Sequence, residues 1–292
     1  MNAPPDTPLV PGISPQVYRA ADFKRIADLV RDEAGIVLNE KKQMLAYSRI
    51  APLVRASGLQ TFEEYLDAID SDDAARTRTI ASLTTNHTYF NREPHHFEHF
   101  AAEVRPRLIE EANAGQKVRI WSAGSSSGEE IYSLLMVLLG ENRQEGMQLS
   151  KRQFIVLASD LADHAVKAAS EGIYPAEAIS KMPERLRINW TEASPDGDPS
   201  KLTISSHIKR MVRFRQLNLL RPWPFQNQFD VIFCRNVMIY FDEATKAQLV
   251  TNFARQLKPG GFLYIGHSER VPPQASQYLE SVGSTIYRRT AA

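Results

Sequence analysis

Cysteine is almost missing: Cys234 is the single one in a chain of 292 residues. That excludes an intrachain disulfide framework and a cysteine-rich metal site. Cys234 sits in an apolar, strand-like run and is expected to be inert packing. Long apolar runs are missing as well. Residues 131–139 fall far short of the ~20 residues needed to span a membrane, so no direct membrane insertion is expected. No sign of charge dominates, because 35 Lys+Arg face 34 Asp+Glu for a net +1. Without a global field, nucleic acid is not expected as a partner. Residues 1–15 are proline-rich but have neither the basic stretch nor the apolar core of a signal peptide, and read as a disordered lead-in. With 43% hydrophobic and 24% charged residues, the chain is expected to be soluble, globular and cytoplasmic. It can hold one large domain or two of ordinary size.

The richest segment runs Arg119-Ile-Trp-Ser-Ala-Gly-Ser-Ser-Ser-Gly-Glu-Glu130. β-prone residues enter a turn of small residues, and an apolar helical run leaves it. This is the strand–loop–helix opening of a nucleotide-type α/β domain. Gly124 and Gly128 permit dihedrals and approaches that a Cβ would forbid. The spacing is not G-x-G-x-x-G, and no Lys-Ser/Thr follows as in a P-loop. Glu129 and Glu130 stand where a pyrophosphate would want no acid. Acids there suit a ligand with a cationic group or free hydroxyls; S-adenosylmethionine has both, so a methyltransferase is the first expectation.

Residues 16–85 read as a small helical bundle. Phe23, Ile26, Ala27, Val30 and Ala34 share one helix face, with Gly35 as the stop. A second helix is expected over 40–57. Thr61-Phe-Glu-Glu64 is a capping-box pattern opening a third, and a fourth covers 74–83. A longer helix over 95–113 is expected to kink at Pro106. From Lys117 strands (118–122, 154–159, 229–235, 261–265) alternate with helices (129–139, 163–171, 243–257), which argues a mostly parallel sheet with a last strand near 285–289. The alternation fails between Gly172 and Leu217. Strand-like runs at 187–191 and 201–205 flank a loop signal, and Val212 and Phe214 alternate with Arg213 and Arg215. We read a small antiparallel insertion over about 175–215.

Asp160 ends the second strand. A carboxylate there can accept two hydrogen bonds from a ribose diol, or it can cap the next helix. The segment Thr84-Thr-Asn-His-Thr-Tyr-Phe-Asn-Arg-Glu93 is polar yet aromatic, and reads either as a linker or as a ligand segment at a domain junction (86–94). Arg235, Asn236 and Tyr240 follow the fourth strand, where doubly wound sheets bind ligands. His95, His96 and His99 invite a metal reading, but no H-E-x-x-H accompanies them; a structural or surface role and no metal are expected. Lys41, Lys42, Arg49 and Arg55 fall on a stretch free of acids and, at ~100° per residue, span roughly 140° of a helix. They form either a solvated face or a dock for an acidic protein surface.

Taken together, 84–93 with His95-His-Phe97, Trp121-Ser-Ala-Gly-Ser-Ser-Ser-Gly-Glu-Glu130, Ala158-Ser-Asp160, Asn218-Leu219, Cys234-Arg-Asn-Val-Met-Ile-Tyr-Phe241 and Leu257-Lys-Pro-Gly-Gly261 resemble the CheR-type bacterial chemotaxis receptor methyltransferases, which are protein-glutamate O-methyltransferases. The resemblance covers roughly residues 18–290. It implies an all-helical N-terminal domain, then a Rossmann-like S-adenosylmethionine-dependent methyltransferase domain (95–292) with an inserted antiparallel β-subdomain. It implies cofactor contacts at Asn86, Thr88, Arg92, Glu129, Asp160, Asn218, Leu219, Arg235 and Asn236, with Gly124 in the loop. It places Arg92 and Tyr240 at the transferred methyl and the substrate carboxylate, and docks Lys41, Lys42, Arg49 and Arg55 on the receptor's cytoplasmic helical bundle. A monomer is expected. One departure stands out: the family motif T-x-F-F-R reads Thr88-Tyr-Phe-Asn-Arg92 here, with Asn91 in place of an aromatic.

Two rival functions bear on the reading. One is a small-molecule or nucleic-acid methyltransferase on the same cofactor fold; the adenine-N kind would want an N/D-P-P-Y/F tip after the fourth strand, and Arg235-Asn-Val-Met has no proline. A cofactor-occupied docking scaffold without turnover would carry the same residues.

Overall fold

A computed structural model of the chain describes residues 9–84 and 86–291. It divides into two compact units, Met1–Thr85 with Tyr240–Thr245, and Asn86–Ile239 with Lys246–Ala292.

The first unit packs α1 (Ala20–Ala34), α2 (Gln43–Ala56), α3 (Phe62–Ile69) and α4 (Asp73–Leu83). The expected α1 face is buried through Phe23, Ile26, Val30 and Ala34, and Gly35 ends the helix at φ 67°. The Thr61–Glu64 capping box of α3 forms as read. α4 starts on Asp72, whose carboxylate accepts the Ala75 N–H at 2.9 Å. Tyr18, Tyr47 and Phe62 form a ring cluster, with Tyr18 and Phe62 centroids 4.5 Å apart. Of the expected disordered lead-in, residues 1–8 lie outside the described residues. Residues 9–15 are turns, and Val10 is buried; an apolar side chain next to an open core gains more from burial than the short segment loses in entropy.

In the second unit the helix expected over 95–113 comes in three pieces: α5 (Pro94–His99), a π-helical turn (Phe100–Val104) and α6 (Arg105–Asn113). Pro106 has no N–H to give, and the Arg105 N–H reaches back to the Phe100 carbonyl, so the irregularity is a π-turn just before the proline rather than a kink at it. There follow β1 (Val118–Ala123), α7 (Glu129–Leu139), α8 (Arg143–Leu149), β2 (Phe154–Asp160) and α9 (Asp163–Glu171). Then come β3 (Ile173–Pro175), α10 (Ala176–Ile179), α11 (Glu184–Trp190), β4 (Thr191–Ala193), β5 (Lys201–Ile204), α12 (Ser206–Lys209) and β6 (Val212–Gln216). The chain continues through β7 (Phe229–Cys234), a 3-10 turn (Met238–Tyr240) and α13 (Glu243–Gln256), of which Tyr240–Thr245 count with the first unit, and closes with β8 (Leu257–Ile265), β9 (Leu279–Gly283) and β10 (Ile286–Arg289).

Seven strands form one sheet in the order β6-β2-β1-β7-β8-β10-β9, parallel except for β10, which runs antiparallel to β8 and β9. The winding reverses between β1 and β7, so the crevice beyond their C-terminal ends is the expected ligand site. Trp121 anchors the core beneath it, ringed by Trp223, Phe225, Phe229 and Phe253 and donating its indole N–H to Ser159 Oγ at 2.9 Å.

Two expectations for the insertion are corrected. The 212–216 strand belongs to the main sheet: Val212 pairs with Val156 and Phe214 with Ala158 along the free edge of β2. Val212 and Phe214 alternate with Arg213 and Arg215 as a strand requires, but periodicity does not name a partner. Residues 187–190 are helical, because Leu186 and Trp190, four apart, are both buried and Pro183 pre-sets the entry. The separate sheet is β3-β5-β4, antiparallel throughout.

Candidate active site

The loop between β1 and α7 is held by the tip of β2. Gly124 and Ser125 donate their N–H groups to the Ser159 carbonyl at 2.8 and 2.9 Å. Asp160 Oδ2 accepts the Ser126 N–H at 2.8 Å, and Oδ1 accepts the Ala162 N–H at 2.9 Å. Gly124 sits at φ 80°, and a Cβ on it would run into Val237 Cγ2, which belongs to the segment after β7. The two strand tips therefore meet at this glycine. Gly128, at φ 96°, leaves room for Ala169 and Tyr174, whose hydroxyl donates to the Ser127 carbonyl at 2.5 Å.

Asn86 is brought to this loop, since Ser126 Oγ donates to its carbonyl at 2.8 Å. Asn218 is brought to Asp160, because the Leu217 N–H donates to the Asp160 carbonyl at 2.9 Å; its side chain accepts the Leu220 N–H at 2.9 Å, and the Leu219 carbonyl accepts the Trp223 indole N–H at 3.2 Å. Asn236, at φ 60°, adjoins Val237 and so the glycine loop. Glu129 lies at the start of α7, its carboxylate accepting from Ser127 Oγ at 2.8 Å. Thr88 and Arg92 follow Asn86 on the same segment; Arg92 donates to the His87 carbonyl at 3.0 Å and lies over the Tyr89 ring.

Arg235 is more structural than the sequence suggested. Buried, it lies 3.4 Å from Glu130 and 3.6 Å from Glu93, and it donates to the Arg92 carbonyl. It thereby ties the 86–93 segment to α7. Tyr240 falls in the first unit, where its carbonyl accepts the Val37 N–H at 3.0 Å. In the basic stripe, Lys41 and Lys42 lie on a 3-10 turn ahead of α2 and are exposed, as is Arg55. Arg49 is half-buried and donates to the Ser82 and Thr84 carbonyls at the end of α4. The stripe on one regular helix is thus corrected: the 3-10 turn breaks the angular spacing, and Arg49 caps a helix.

Sequence reasoning passed over Glu269. Buried, its carboxylate accepts N–H groups from Gly266, Asn236 and Met238 at 2.6, 3.0 and 2.7 Å, joining the tips of β7 and β8. Nothing local in the sequence separates it from a surface glutamate. The histidines bind α5 to the β8–β10 edge: His95 to the Ser284 carbonyl, His96 to Thr285 Oγ1, His99 to the Tyr264 hydroxyl. His267 bonds Glu93 at 3.0 Å. Glu93, His95 and His96 offer ligand atoms within 4.8 Å of one another, and each also has the protein partners just named.

The electrostatics favour a cation. Burial pushes Glu129, Asp160 and Glu130 above the usual carboxylate range, against the pull of their hydrogen bonds and, for Glu130, of Arg235. Burial raises Glu269 too, opposed by its backbone donors. Glu93 is the exception: burial pulls it up, but Arg235 and His267 hold it below that range. Among the buried polar atoms without a hydrogen-bond partner are three on these segments, Asn86 Nδ2, Ser125 Oγ and Asn236 Oδ1. Such atoms call for a polar ligand. A glycine-lined approach, a strand-tip carboxylate and unmatched donors and acceptors fit S-adenosylmethionine, with its sulfonium, ribose diol and adenine.

This sheet order, with the last strand reversed inside the edge, and this loop define a Rossmann-like S-adenosylmethionine-dependent methyltransferase. The chain belongs to the CheR methyltransferase family: residues 21–84 match its all-alpha domain and residues 86–288 its SAM binding domain. It is 40% identical over 264 residues to a probable chemotaxis protein methyltransferase of Rhizobium etli, covering 90% of this chain and 97% of that one. It is 36% identical to the chemotaxis protein methyltransferases of Borreliella burgdorferi (92% of this chain, 94% of the other) and of Escherichia coli K12 (91% and 90%). Among the described residues no helix is long and apolar enough to cross a membrane.

Proposed function

We propose that the protein transfers the methyl group of S-adenosylmethionine to glutamate side chains of methyl-accepting chemotaxis receptors, forming methyl esters, and that it does so as a cytoplasmic monomer without a metal. The observation that carries this reading is the buried carboxylate of Asp160 at the strand tip, holding the glycine loop beside polar atoms that lack partners.

Bound there, the cofactor supplies a methyl group on a sulfonium, open to in-line attack. An acceptor glutamate, with a pKa near 4.3, is ionised at neutral pH, so no general base is required of the protein. Charge is lost as anion and cation combine, and a dry crevice favours that step over water. The chain's work is to align and to exclude solvent. Asp160 can take the ribose diol on its remaining lone pairs. Asn86, Ser125 and Asn236 offer the unmatched polar atoms, and Glu129 adds negative charge suited to the cofactor's cationic groups. Arg92 should not clamp the attacking oxygen, since that would stabilise the ground state more than the waning charge of the transition state. It is assigned to the cofactor carboxylate or the non-attacking oxygen. Tyr240 is assigned, on the family resemblance alone, to the acceptor carboxylate. Lys41, Lys42 and Arg55 are assigned to docking on the receptor.

The test is transfer of radiolabelled methyl to membranes bearing a methyl-accepting receptor. Label that is lost in mild base marks a carboxyl methyl ester; base-stable label, or none, refutes the proposal.

A further inference from the structure

Residue 91 does a specific job. Asn91 adopts φ 56°, a region that Asn tolerates better than a bulky aromatic. Its N–H donates to Ser133 Oγ at 3.0 Å, and its side-chain amide donates to the Lys181 carbonyl at 3.2 Å. Lys181 lies in the turn between α10 and α11, with Met182 buried beside it. The turn is therefore anchored on both sides, and the Lys181 ammonium comes to rest 4.1 Å from the centroid of the Tyr89 ring. The Arg92 guanidinium carbon lies 5.6 Å from the same centroid.

Two cations thus share one aromatic ring, both within the ~6 Å reach of a cation–π contact. Neither forms a direct ion pair with a carboxylate among the described residues, although Arg92 is near enough to Glu130 to favour its charged form. Lys181 is exposed and Arg92 half-buried, so both charges are within reach of an incoming solute. Both charges are held at the one ring, which offsets only part of the cost of bringing like charges to the same neighbourhood. A carboxylate arriving beside this ring would be attracted by both. An ordinary surface lysine pays rotamer entropy to make such a contact; here the anchored backbone and the ring have already ordered the side chain.

We propose that Lys181 is a substrate-positioning residue that binds an acidic side chain next to the methyl-accepting glutamate, so that the protein selects acceptors lying in acidic segments. This rests on the reading of the protein as a glutamate methyltransferase. Asn91 serves it by fixing the turn, and Tyr89 by holding the ammonium.

The experiment is steady-state methylation of receptor-bearing membranes by the full-length protein and its Lys181→Met, Lys181→Arg and Lys181→Glu variants, with S-adenosylmethionine affinity measured in parallel. Lys181→Met keeps the alkyl stem on Tyr89 and removes the charge. It is expected to raise the receptor KM about three- to tenfold, leaving kcat and cofactor affinity within about twofold. Lys181→Arg should recover most of the loss, Lys181→Glu should deepen it, and added salt should narrow the gap between wild type and Lys181→Met. A Lys181→Met KM equal to wild type, or a Lys181→Arg variant as impaired as Lys181→Met, overturns the proposal while leaving the methyltransferase reading intact. Failure of the wild type to label receptors overturns that reading and this proposal together.

Discussion

Each oxygen of the Asp160 carboxylate already takes a backbone N–H, and the proposed diol role would use the lone pairs left over. Asp160→Ala should therefore weaken cofactor binding by about 1–3 kcal/mol in calorimetry. Asp160→Asn, which keeps one acceptor for the loop, should lose less; unchanged affinity in both would remove Asp160 from the site. His96 shows a second residue-level effect. The Thr285 hydroxyl donates to the Ser284 carbonyl at 2.7 Å, so the bond to His96 Nε2 has the histidine as donor. Burial, with Arg235 and His95 nearby, lowers the His96 pKa from 6.5 to about 3, although Glu93 pulls the other way. The folded form then resists a proton that the unfolded chain accepts. The stability His96 contributes is full above pH 6.5 and is lost as pH falls from 6.5 toward 3, with a slope of at most about 1.4 kcal/mol per pH unit for one proton. His96→Gln should flatten the decline of Tm between pH 6.5 and 4.5; parallel profiles would show that other groups govern it.

At the scale of elements, the meeting of two strand tips is decided by a missing Cβ. Gly124→Ala meets both a positive φ and Val237, so a loss of about 1–3 kcal/mol in stability is expected, together with weaker cofactor binding. The double variant Gly124→Ala/Val237→Ala should recover the steric part and keep the backbone part. Full recovery, or none, would show that only one of the two operates. In the helical unit, the basic residues divide by contact: Arg49 bonds the carbonyls that end α4, whereas Lys41, Lys42 and Arg55 are exposed and are the ones proposed to dock. Replacing Lys41, Lys42 and Arg55 together by Glu should raise the receptor KM with Tm and cofactor affinity unaltered, whereas Arg49→Glu should lower Tm through the lost carbonyl contacts on α4. Equal receptor methylation by the triple variant would make that face ordinary solvated surface.

At the scale of the molecule, what was legible in the sequence was whatever local chemistry decides. The α1 face, the Thr61–Glu64 capping box, the turn at Gly124 and the central strands each follow from spacing and residue type within a dozen positions. What escaped depends on distant partners. Val212 and Phe214 announced a strand, but only the open edge of β2, over fifty residues earlier, says which sheet it joins. Glu269 became visible only when the tips of β7 and β8 met over its carboxylate, and Arg235 only when Glu93 and Glu130 closed on it. The π-turn before Pro106 and the Lys181–Tyr89 contact likewise need three-dimensional neighbours. A crystal structure of the protein grown with S-adenosylhomocysteine tests the account most directly. It should show the ribose hydroxyls on the Asp160 carboxylate and the ligand against residues 124–128; the same ligand bound elsewhere, or not bound at saturating concentration, would contradict it.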